Sequence, residues 1–89
     1  MNKVDINEKV IELHKEMFWR DKEGIASDYG NENFFGKVME LRPGDVLAFL
    51  YAIESNFNIT ILPTDLISGR FNCLNSVTEI VYEVLSRQQ

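Results

Sequence analysis

Three stretches of this chain carry apolar residues at helical spacing and leave the opposite side polar, and none is apolar all round. An amphipathic helix must bury its stripe against another element. Three such helices in 89 residues share one core, which predicts an all-α bundle. Apolar residues make up 45% and charged residues 26%, so a core can offset chain entropy and a single domain over 1–89 is expected.

The first stripe is Ile6, Val10, Leu13 and Met17, which predicts a helix over about 4–19. Asp5 followed by Glu8 has the spacing of a capping box. From Asp21 to Arg42 the pattern breaks into a long loop punctuated by Gly24, Gly30 and Gly36, with Asn31 and Asn33 interleaved. Such a loop needs anchors. Phe34, Phe35, Val38, Met39 and Leu41 are the candidates, with a helical turn expected between Phe35 and Met39.

The second helix is expected to open at Arg42-Pro43-Gly44-Asp45. Proline suits the first turn because its missing N–H has no intrahelical partner there, and Asp45 favours the positive end of the dipole. Val46, Phe49, Leu50, Ile53 and Phe57 form its stripe. Ala48, Ala52 and Ser55 lie opposite, with Leu47, Tyr51 and Glu54 on the flank. Ile59 and Ile61 alternate as in a strand, but no second strand exists to pair with them. They read as an extended connector that tucks into the core. A short helix is expected from Pro63, stopped by Gly69. Leu74, Val77, Ile80, Val81, Val84 and Leu85 form the last stripe, with Ser76 and Glu79 at capping-box spacing and Asn75 as an alternative cap.

The net charge of −5 argues against nucleic acid as the main partner, because phosphate binding needs a basic face. No apolar run reaches the roughly 18 residues that span a bilayer, and the first residues lack a signal core, so no membrane partner is expected. Cys73 is the only cysteine, which excludes an internal disulfide and suggests a reducing, cytoplasmic setting. It reads as a small apolar filler. His14 is expected to be a partly buried, hydrogen-bonded side chain, with no second histidine to form a metal site. Trp19 and Phe18 are expected to pack under the long loop, and Asp65, Glu79 and Glu83 read as solvated faces or caps. No phosphate loop, nucleophile elbow or zinc motif is present, and no enzyme is expected.

From Phe35 to Val84 the chain resembles an acyl carrier protein. The run Leu50-Tyr51-Ala52-Ile53-Glu54-Ser55-Asn56-Phe57 is similar to the family's second helix. Ile61-Leu62-Pro63 and Phe71-Asn72-Cys73-Leu74 stand where the family has an Ile-Pro element and the start of its last helix, with one extra residue before Pro63. The resemblance implies a four-helix bundle, three main helices plus one short helix, with a long first loop. It also implies that the family's Asp-Ser-Leu motif falls on Arg42, Pro43 and Gly44. Pro43 has no hydroxyl for a phosphopantetheine arm, so no cofactor is expected.

The combination resembles, more specifically, the acyl carrier-related proteins of bacteriocin-type peptide maturation systems. That implies a non-catalytic, monomeric scaffold whose partner is a peptide maturation or acyl-transfer enzyme, or a peptide. Partner binding would fall on the second helix, at Asp45, Leu47, Ala48, Tyr51 and Glu54. The alternatives are a true carrier modified at another serine (Ser27, Ser55, Ser68 or Ser76) and a plain helical interaction module.

Overall fold

The computed structural model describes residues 2–19 and 30–87, and among them every regular element is a helix. The order is α1 (Lys3–Phe18), α2 (Pro43–Phe57), α3 (Pro63–Ile67) and α4 (Leu74–Arg87). None of these helices is long and apolar enough to cross a membrane.

Helix α1 starts earlier than the sequence pattern predicts. Asn2 is its N-cap, and the Asn2 Oδ1 accepts the Asp5 N–H at 2.9 Å. The expected Asp5–Glu8 box therefore does not start the helix. Asp5 instead lies in the first turn, where its charge suits the dipole. Ile6, Val10 and Leu13 are buried as expected, but Met17 at the end of the stripe is 38% exposed. His14 is fully buried rather than partly so.

Helix α2 begins at Pro43, with Arg42 as its N-cap in an extended conformation. The Arg42 N–H donates to Asp45 Oδ2 at 3.0 Å. An arginine side chain has no acceptor, so it cannot return a bond to the first-turn N–H groups. Phe49, Leu50, Ile53 and Phe57 are buried and Val46 half-buried. At the far end Asn58 takes a left-handed conformation (φ 54°), which asparagine tolerates better than most residues.

Helix α4 begins at Leu74, ahead of both expected caps. Its first turn is tied to the segment before α2: the Asn75 backbone N–H donates to the Gly30 carbonyl at 3.0 Å, and the Asn75 side-chain amide donates to Asn31 Oδ1 at 2.8 Å. A Cβ on Gly30 would lie 2.5 Å from Asn75 Oδ1, so a larger residue there displaces the Asn75 side chain.

The three long helices meet in one core. Helix α1 packs more extensively on α4 than on α2. Thr78, buried on α4, joins α1 to α4 by accepting from the Asn7 amide at 2.9 Å while donating to Leu74 O at 3.0 Å. Phe49 sits where the elements converge, 5.8 Å from Phe34 and 6.1 Å from both Phe18 and Phe71, centroid to centroid.

The segment before α2 contributes Phe34, Met39 and Leu41 to this core. The other two expected anchors are not buried. Phe35 is 56% and Val38 47% exposed, and the expected helical turn is a single one, closed by the Glu40 N–H on Gly36 O at 2.8 Å. Two backbone bonds explain the anchoring: Phe34 N–H donates to Asn72 O, and Leu41 N–H to Phe34 O, both at 2.8 Å. The expected loop positions from 21 to 29, including Gly24 and Ser27, lie outside the described residues. Ile59 and Ile61 are both buried, as expected of the connector, and Gly69 (φ 76°) follows α3.

Candidate functional site

The start of α2 is where the resemblance implies a carrier serine. From Arg42 to Ala48 no residue bears a hydroxyl, and Pro43 occupies the first helical position. Arg42, Pro43 and Gly44 are all exposed. The residues present therefore do not fit a phosphopantetheine attachment. Other serines are elsewhere. Ser55 is exposed near the opposite end of α2. The Ser68 hydroxyl donates to Asp65 O at 3.3 Å, and the Ser76 hydroxyl lies 3.2 Å from Cys73 Sγ.

The five expected partner-binding residues divide into two groups. Asp45 and Glu54 are half-buried and their carboxylates serve the fold. Asp45 caps its own helix through the Arg42 N–H, and Glu54 Oε2 accepts the Ile61 N–H at 2.9 Å. Leu47, Ala48 and Tyr51 point away from the core, with Tyr51 60% exposed. At about 100° per residue, Gly44, Leu47, Ala48, Tyr51 and Ser55 fall on one side of α2. None of these five is charged, although the half-buried Glu54, seven residues on from Leu47, borders them. The side is an apolar and small-residue surface in a chain that is otherwise rich in charge.

Two other features were not legible as a pattern. Arg70, just after α3, reaches Asp65 at 3.3 Å and Glu83 on α4 at 2.6 Å. The Arg70 guanidinium holds the Glu83 carboxyl below the usual carboxylate range. Lys3 on α1 pairs with Glu79 on α4. Asp65, Glu79 and Glu83 are thus paired with cations rather than simply solvated, and these pairs connect α3 and α1 to the last helix. An open groove between α1 and α4 is lined by Lys3, Asn7, Thr78 and Glu79, whose polar groups are used in bonds across it.

His14 lies among aromatic rings, 4.6 Å from Trp19, 5.4 Å from Phe18 and 5.9 Å from Phe49. Burial lowers its pKa to about 4, so the ring is neutral at pH 7. Cys73 is buried, in keeping with a filler. Among the described residues, no group of three His, Cys, Asp or Glu side chains is placed to hold a metal ion.

Comparison with known protein families, curated proteins and solved structures finds no match for this chain.

Proposed function

We propose that this chain is a non-catalytic, acyl carrier protein-like interaction protein that assists the maturation of a ribosomal peptide without carrying a phosphopantetheine arm. The reading rests on one observation: α2 opens with a proline, in a turn without a hydroxyl. Two further features support it. The helical order of three long elements and one short one agrees with the pattern the resemblance implies. The outward side of α2 offers Leu47 and Tyr51, a pair suited to anchoring a protein or peptide.

The test is co-purification with peptide maturation enzymes, comparing the wild type with a Leu47→Asp/Tyr51→Ala double variant. The wild type retains its partner and the variant loses it. Equal recovery by both forms overturns the assignment of the surface. Intact mass after incubation with a phosphopantetheinyl transferase and coenzyme A stays unchanged; a gain equal to the arm overturns the non-carrier reading.

A further inference from the structure

Helix α3 is held in the fold differently from the other three. None of its five residues is buried, whereas α1, α2 and α4 each send several side chains into the core. The buried positions stand on either side of it, Ile61 before and Phe71 after. Between these anchors Leu62 and Leu66 are more than a third exposed, and Ile67 is 85% exposed. A segment that buries so little apolar surface gains little by docking. Its opening therefore costs far less than unfolding the core.

What holds the segment is polar. Its own turn is closed by the N–H groups of Ser68, Gly69 and Arg70, which donate to the carbonyls of Thr64, Leu66 and Asp65, each at 3.1 Å. The Arg70 Nη1 lies 3.3 Å from Asp65 Oδ1 within the segment and 2.6 Å from Glu83 Oε2 on α4. Among the described residues, the bond to Glu83 is the only ion pair or hydrogen bond joining residues 62–70 to another part of the fold. Its two side chains are 36% and 39% exposed, so water and salt screen it. Breaking it leaves neither charge alone. Arg70 keeps Asp65, and Glu83 keeps Arg87, one helical turn on at 3.9 Å. We propose that residues 62–70 form a strap that undocks from α4 as a unit, latched by the Arg70–Glu83 ion pair and released by ionic strength. Release moves Leu62, Leu66 and Ile67 together, so the latch controls where this apolar surface sits relative to α4. The latch is independent of what α2 binds.

Amide hydrogen exchange followed by NMR on the full chain tests this, read as protection factors at Ser68, Gly69 and Arg70 against Ile53 and Val81 in the core. At low salt the strap amides are protected, but roughly a hundredfold or more below the core pair. Raising sodium chloride to about 0.5 M lowers strap protection relative to the core by roughly fivefold, the order expected of an exposed ion pair. Glu83→Gln lowers it by a similar factor at low salt and abolishes the response to salt. Lys3→Gln, which removes the α1–α4 pair with Glu79, leaves the strap unaffected. Strap protection equal to that of the core overturns the proposal, as does the absence of any protection at low salt. Insensitivity to salt, or to Glu83→Gln, overturns the latch.

Discussion

Glu54 near the end of α2 accepts the backbone N–H of Ile61 at 2.9 Å, so a helix side chain closes the connector that leads to α3. The connector's own residues cannot pair as a strand, and this carboxylate supplies the acceptor that a neighbouring strand would otherwise provide. Glu54→Ala leaves a partly buried donor without its partner and destabilises the chain by about 1–2 kcal/mol. Glu54→Gln retains an acceptor oxygen and costs less. Urea unfolding of the two variants gives the order.

His14 makes stability depend on pH. Its pKa is about 4 in the folded chain against 6.5 for a free histidine, because burial among rings disfavours the charged form. A base with a depressed folded pKa contributes stability that is fully present above pH 6.5 and lost as pH falls toward 4. Between those values the unfolded chain binds more protons, so stability rises with pH. The loss between pH 7 and pH 5 is roughly 2 kcal/mol by this linkage. His14→Phe flattens the dependence in that window, whatever its effect on absolute stability. Denaturant titrations at pH 7, 6 and 5 measure the slope.

Phe49 faces four rings among the described residues, those of His14, Phe18, Phe34 and Phe71. Phe49→Ala opens a cavity at the junction of α1, α2 and the pre-α2 segment and costs about 3–5 kcal/mol. That is a large share of the stability of a chain this size. Calorimetry shows a melting temperature lowered by well over 10 °C, or no cooperative transition.

Glu40 adopts φ 51°, a left-handed conformation that favours glycine over a residue with a Cβ, while its N–H donates to Gly36 O at 2.8 Å. Glu40→Gly relieves the Cβ penalty but adds freedom to the unfolded chain, for a net gain of roughly 0.5–1 kcal/mol. Glu40→Val, β-branched, loses at least as much. Thermal melts of the pair separate the backbone effect from loss of an exposed charge.

Gly30→Ala pushes against Asn75 and breaks its bond to Asn31, opening the contact between the loop and the first turn of α4. The expected cost is about 1 kcal/mol, with faster amide exchange at Asn75, whose N–H is held by the Gly30 carbonyl.

The helices were legible because burial imposes a period on sequence. The stripes Phe49-Leu50-Ile53-Phe57 and Leu74-Val77-Ile80-Val81-Val84 are buried in the places their spacing predicts. The caps were less legible. Asn2, four residues before the first buried apolar position, competes with Asp5 on composition alone, and only backbone geometry distinguishes them. The candidate site was half legible. Absence of a hydroxyl at Pro43 is a covalent fact, visible in the letters alone.

What spacing could not supply was the use of each charge. Asp45 and Glu54 look like surface acids in sequence, yet they meet Arg42 and Ile61 N–H groups placed by the backbone path. Sequence by itself determined the helical periods, their apolar faces and the missing carrier hydroxyl, because these depend on local covalent chemistry and burial. Tertiary structure decided which loop aromatics enter the core and which acids pair across helices, as Glu79 does with Lys3, because those outcomes depend on contacts between residues distant in sequence.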